Sequence, residues 1–197
     1  MLDTHARKYV QPAIGHAADF FLRRGLSANQ VTVISFIIGV AAGPLVYLGL
    51  GPAAVLLLWV SGFLDAVDGS MARKTKPSAF GTVMDVTFDR LVEISVLLGL
   101  AFLFPDLMWL FLLLSVSIIF SMTVFLTVGS VSDQKGIKSF YYQAGLAERT
   151  EGFILFTIMI LFPSILLYST MLFLFVEVFT GIQRLVEAKK ILKEPAE

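Results

Sequence analysis

The chain has 197 residues, 57% of them hydrophobic, a mean hydropathy of +0.83 and no formal net charge. That hydropathy is well above a soluble domain's and fits a polytopic membrane protein, and the zero net charge offers no bulk attraction to nucleic acid. There is no cysteine, which excludes disulfides, thiolate metal sites and cysteine nucleophiles.

From the N-terminus, no apolar core precedes residue 30, so the start does not read as a cleaved signal peptide. Residues 5–24 place Val10, Ile14, Ala17 and Phe21 at helical spacing, with Arg7, Lys8, Gln11 and Arg23 elsewhere on the wheel. This predicts an amphipathic helix lying on the membrane surface, where His5 and His16 are interfacial rather than metal ligands. Gly25 is placed to end it, and Ser27 with Gln30 forms a capping box for the next helix. Six apolar spans follow, at roughly 30–49, 53–73, 79–103, 107–130, 147–162 and 164–186, most of them near the ~20 residues needed to cross the hydrocarbon. The expected fold is an all-α integral membrane protein forming one domain over 1–197. Within it, 1–26 is a juxtamembrane helix and 27–190 a six-helix core.

Basic residues set the orientation. Arg7, Lys8, Arg23 and Arg24 precede span one; Arg73, Lys74 and Lys76 join spans two and three; Lys135, Lys138 and Arg149 lie between spans four and five or at their edge; Arg184, Lys189, Lys190 and Lys193 mark the end. The opposite turns, near Gly51, Pro105 and Pro163, carry none. Both termini and both basic loops are therefore expected in the cytoplasm.

The stretch DAVDGSMARKTKPSAFGTVMDVTFDR, Asp65 to Arg90, holds four aspartates in or beside apolar spans. A carboxylate there is costly and marks function by default. Asp65 and Asp68 are i, i+3 and Asp85 and Asp89 are i, i+4, so each pair shares a helix face. The polar break Lys74–Pro77 allows an antiparallel return that brings the pairs together. Four carboxylates in one apolar pocket require cations, and hard oxygen ligands suit Mg²⁺ or Mn²⁺. Two such ions can neutralise a diphosphate, stabilise a leaving phosphate and orient an attacking oxygen. Gly69, Ala72 and Gly81 clear side chains from the facing helices, Arg73 is placed to pair with a phosphate, and Asp89 is the candidate base.

These residues resemble the signature of the CDP-alcohol phosphotransferase family, D-x2-D-G-x2-A-R-x7-8-G-x3-D-x3-D. Asp65, Asp68, Gly69, Ala72, Arg73, Gly81, Asp85 and Asp89 fill every fixed position. The resemblance implies transfer of a substituted phosphate from a CDP-linked donor, in most members a CDP-lipid, to an alcohol, with release of CMP. It implies that Asp65, Asp68 and Asp85 bind metal, that Asp89 completes the second site and acts as base, and that Gly69, Arg73 and Ser78 touch the CDP moiety. Asn29 and Thr32 match an N-x-x-T found at the start of span one in many members and are implied nucleotide contacts. Homodimerisation is also implied.

For the acceptor, Arg149 and Glu151 in GLAERTEG resemble a stretch of inositol-phosphate-using members. The chain departs from those members at Gly152-Phe153, where they usually show a second Arg, and at DQKGIKSFYY, where they usually carry an Ala-Arg-Ala-Glu-type segment. Lys135, Lys138, Arg149 and Arg184 are candidate ligands of a phosphorylated acceptor, inositol phosphate or glycerol phosphate. Glu93 is placed to pair with Arg90, while Glu177 has no evident partner. The rival readings are a soluble CDP-alcohol donor, a divalent-cation transporter and a non-catalytic lipid-binding scaffold.

Overall fold

The computed structural model describes residues 2–132, 145 and 149–192, and all regular structure among them is helical. Helix α1 (Leu2–Arg23) stops where Gly25 takes a left-handed φ of 78°. Helix α2 (Ala28–Val40) starts on the expected capping box. The Gln30 amide donates to Ser27 Oγ at 3.3 Å and the Ser27 amide to Gln30 Oε1 at 2.9 Å.

The span expected as one helix over 30–49 is two consecutive helices, α2 and α3 (Ala42–Tyr47). Pro44 accounts for the break. It has no N–H to offer the Val40 carbonyl one turn back. Ser95 Oγ donates to that carbonyl instead, at 2.7 Å, so the freed acceptor is satisfied from a neighbouring helix, as a bilayer demands.

Helix α4 (Gly51–Lys74) and helix α5 (Ala79–Leu103) follow as expected, and Ser78 caps α5 by accepting from the Gly81 amide at 2.9 Å. A 3₁₀ turn at Pro105–Leu107 leads into α6 (Met108–Val131). Helix α7 (Arg149–Leu161) and a second 3₁₀ turn at Pro163–Ile165 lead into α8 (Leu166–Ile191).

Among the described residues, four stretches are long and apolar enough to cross a membrane: Ala28–Tyr47, Gly51–Lys74, Pro105–Val131 and Pro163–Lys190. The other two expected spans correspond to α5, whose 25 residues include the charged Asp85, Asp89, Arg90 and Glu93, and to α7, with 13 residues. Large apolar side chains point outward along these helices, among them Phe102, Leu112, Ile119, Tyr168 and Phe175. A continuous apolar exterior of this kind is what lipid covers and water does not.

Small residues set the helix spacing. A Cβ on Gly43 would lie 2.2 Å from the Ser95 carbonyl oxygen, and one on Gly99 would lie 2.3 Å from that of Gly43, so α3 and α5 touch backbone to backbone. Ser35 Oγ ties α2 to the Ser61 carbonyl of α4 at 2.8 Å, and Trp59 Nε1 ties α4 to Thr157 of α7 at 3.0 Å. Phe156 and Phe173 meet edge to face at 5.1 Å in the core between α7 and α8. A second apolar cluster, Ile14, Ala18, Val31, Val67 and Met71, docks α1 onto α2 and α4. Lys74 closes that contact by donating to Asp19 at 2.6 Å and to the Gly15 carbonyl at 3.2 Å. Its hydrogen bond holds the Asp19 carboxyl below the usual carboxylate range.

Candidate active site

The polar break after Lys74 returns the chain antiparallel, so the last turns of α4 face the first turns of α5. Asp65, Asp68 and Asp85 thereby present carboxylate oxygens that all lie within 4.8 Å of one another. Asp68 is buried, and its Oδ2 has no hydrogen-bond partner. A buried unpartnered carboxylate oxygen is costly, and three converging hard oxygen donors are the ligand set of a divalent cation. The residues present therefore fit the metal that the aspartate spacing calls for.

Arg149, at the start of α7, reaches into this cluster. One guanidinium nitrogen donates to Asp65 Oδ2, and the other lies 2.8 Å from Asp89 Oδ1, while the group rests 5.4 Å from the Phe153 ring centroid. From sequence this arginine belongs to the acceptor; in the structure it bridges an aspartate of α4 and one of α5.

The remaining expected residues fall around the same centre. Gly69 stands one turn from Arg73, whose guanidinium would be 3.4 Å from a Cβ at Gly69. Both line a cavity of about 550 Å³ with Asp65, Asp85, Trp59 and Phe153. Thr32 is buried on α2; its hydroxyl donates to the Ala28 carbonyl at 3.0 Å and faces the Asp68 carboxylate. Asn29 approaches Gly81 so closely that a Cβ there would sit 3.0 Å from its Oδ1. Ser78 is exposed and engaged as the α5 cap, and Ala72 is half-buried on α4. Lys135 and Lys138 lie outside the described residues.

Arg184 is buried on α8, where it donates to Ser121 Oγ at 3.1 Å and lies 4.9 Å from the Phe125 ring centroid. It lines a second cavity, of about 290 Å³, which also holds Asp85, Asp89, Arg149, Glu93 and Glu177. Arg90 and Glu93 pair at 2.6 Å, as their i, i+3 spacing predicts. Sequence reasoning missed Ser121 and Phe153. A hydroxyl within the apolar α6 was the available signal for the first; nothing in the pattern marked the second.

The family model of CDP-alcohol phosphatidyltransferase matches residues 26–183. An archaetidylinositol phosphate synthase of Pyrococcus horikoshii is 35% identical over 173 residues, covering 86% of this chain and 87% of the relative. The inner membrane protein YnjF of Escherichia coli is 30% identical over 172 residues, covering 83% and 84%. Among solved structures, Mycobacterium tuberculosis phosphatidylinositol phosphate synthase with CDP-DAG bound superposes with a TM-score of 0.74 at 24% identity, over 93% of this chain and 98% of that one. The same enzyme in complex with manganese and citrate gives 0.76, over 93% of each chain; at this identity the likeness is one of fold. A match spanning most of the chain, together with a relative above 30% identity that is covered over most of its length, establishes that the protein belongs to the CDP-alcohol phosphatidyltransferase family.

Proposed function

We propose that this chain transfers a phosphatidyl-type group from a CDP-lipid to the hydroxyl of a small phosphorylated alcohol, releasing CMP, as a step of phospholipid synthesis. The observation that carries this reading is the convergence of Asp65, Asp68 and Asp85 beside a cavity that also holds Gly69 and Arg73. In this reading those three aspartates hold divalent metal, Mg²⁺ or Mn²⁺, and Asp89 completes a second site. When bound, the ions would neutralise the donor diphosphate and the charge on departing CMP.

The protein's own groups do the rest. Arg73 pairs with a donor phosphate, and Gly69 lets the nucleotide approach the α4 backbone. Asn29, Thr32, Ser78 and Gly81, with Ala72, bound the nucleotide side. Asp89 accepts the proton of the acceptor hydroxyl, whose oxygen bonds to the β-phosphorus as the bond from that phosphorus to the bridging oxygen of CMP breaks. Arg149 and Arg184, with Lys135 and Lys138, hold the acceptor's phosphate. Inositol phosphate is the first acceptor to try, because one relative is named an archaetidylinositol phosphate synthase and another a phosphatidylinositol phosphate synthase; glycerol phosphate is the second.

The topology in this reading has six spans, α5 and α7 included, with α1 lying along the membrane surface and both termini in the cytoplasm. Basic residues cluster at the ends that carry the aspartates, which supports a cytoplasmic site in the cell membrane. Residues 1–197 act as one domain, working as a homodimer.

The test is CMP release by purified protein given CDP-diacylglycerol or its ether analogue, Mg²⁺ or Mn²⁺, and one acceptor at a time. Metal-dependent release with a phosphorylated polyol is expected. Asp89→Asn should lower that rate by about 10²–10⁴-fold, the range for losing a positioned base, while the protein stays folded. No release with any acceptor or either lipid, from folded protein, would overturn the lipid-donor reading and turn attention to soluble CDP-alcohol donors, then to cation transport.

A further inference from the structure

We propose that Glu177 of α8, seconded by Glu93 of α5, is a specificity-determining group that binds the acceptor's hydroxyls. The inference rests on the reading of the site given above and names a chemistry that reading leaves open. Residues 163–183 contain a single charged side chain, Glu177, in a stretch apolar enough to cross a membrane. A carboxylate there needs a reason, and helix packing does not supply one. Among the described residues no ion pair engages Glu177: Arg90 is bound to Glu93, and Arg149 to Asp65 and Asp89. Arg184, on the same helix, donates to Ser121 Oγ, and Ser121 lines the same cavity as Glu177.

Glu177 instead faces the cavity of about 290 Å³ that has Asp85 and Asp89 on its wall. That volume lies at the lower edge of the ~300–1,000 Å³ usual for small-molecule sites, enough for a compact polar molecule. Its lining is of mixed sign. Arg149 and Arg184 offer donors that suit an anionic group, whereas Glu177, and Glu93 beyond its pair with Arg90, present carboxyl oxygens that suit hydroxyls. A molecule that satisfies both carries a phosphate at one end and several hydroxyls at the other. The arrangement assigns the phosphate to the arginines, leaves one hydroxyl for Asp89, and places the remaining hydroxyls against the glutamates. Such a wall selects for polyols, because an analogue lacking a hydroxyl leaves a desolvated carboxylate unpaired.

The experiment compares wild type, Glu177→Gln and Glu177→Ala in metal-dependent CMP release. The acceptors are inositol phosphate, its monodeoxy analogues and glycerol phosphate. A hydrogen bond to a charged group contributes about 1.5–3 kcal/mol, so the KM for inositol phosphate should rise roughly 10–100-fold in Glu177→Ala, and less in Glu177→Gln. The donor KM and the Mg²⁺ requirement should stay at wild-type values. The penalty for the deoxy analogue that lacks the bound hydroxyl should shrink in both variants. An unchanged acceptor KM with unchanged discrimination among analogues overturns the inference alone. So does an equal loss of donor binding and thermal stability in both variants, the signature of a structural role. Absence of CMP release from folded wild type with every acceptor overturns the functional reading and this inference with it.

Discussion

Arg149 joins two carboxylates that come from different helices and lie 84 and 60 positions before it in the chain. Its side chain is only partly exposed, and so are those of Asp65 and Asp89. Removing one member of such a buried set leaves the others uncompensated, at a cost on the order of 3 kcal/mol. In metal-free detergent solution, Arg149→Ala should therefore unfold at a lower temperature than wild type. Saturating Mg²⁺ should recover most of the difference, because a divalent cation supplies the charge that the guanidinium did. A thermal shift that metal leaves untouched would argue against Arg149 and the cation sharing these ligands. The aspartates themselves were legible in the sequence, since i, i+3 and i, i+4 spacing fixes which residues share a face without any knowledge of the fold. The Arg149 bridge was not, because a contact across that separation depends on how far α7 advances toward α4 and α5, which no local pattern encodes. Glu177 was visible as an anomaly, but its cavity arises only from the packing of α5, α6, α7 and α8.

At the scale of elements, the aspartate pairs keep their register because α5 is held hard against its neighbours. Gly43 of α3 and Gly99 of α5 exclude even one methyl group at their crossing, the atoms in the way being backbone carbonyls that cannot rotate aside. Gly43→Ala should cost about 1–3 kcal/mol, the usual penalty for overpacking, read as a lowered unfolding temperature in detergent. Gly15, whose added Cβ would meet nothing within 4 Å, is the control: Gly15→Ala should leave that temperature at or above the wild-type value. Helix existence was legible along most of the chain, because apolar runs of membrane length are bounded by Gly, Pro and basic residues. The division between α2 and α3 was not anticipated. Pro44 marks the place, but an apolar run of the right length hides a local break, and the Ser95 hydroxyl that makes the break tolerable comes from 55 positions away. The 3₁₀ turns at Pro105 and Pro163 fall where turns free of basic residues were expected.

For the whole molecule, the consequential feature is that the two cavities share a boundary. Asp85 and Arg149 line both. The larger space holds Gly69 and Arg73 with the aromatic rings of Trp59, Phe63 and Phe153; the smaller sets Asp89, Glu93, Glu177 and Arg184 beside the apolar Met122, Phe125 and Phe173. In the proposed reading the donor occupies the larger cavity and the acceptor the smaller, so the two meet at the residues that line both. This separation can be tested by filling one side only. A Cβ at Gly69 would meet only the Arg73 guanidinium, at an ordinary contact distance of 3.4 Å, so Gly69→Ala should fold, and its loss of donor affinity should be smaller than that of a larger side chain. Gly69 lines the larger cavity and not the smaller, so Gly69→Leu takes space from the donor side alone. Each 1.4 kcal/mol of lost donor binding is tenfold in affinity, and the donor KM should rise tenfold or more, while the acceptor KM, measured at saturating donor, should hold. If both constants rise together in a protein of unchanged thermal stability, the two substrates share one space and the assignment of one cavity to each is wrong. If only the donor constant moves, Asp85 and Arg149 mark the plane across which the group is passed.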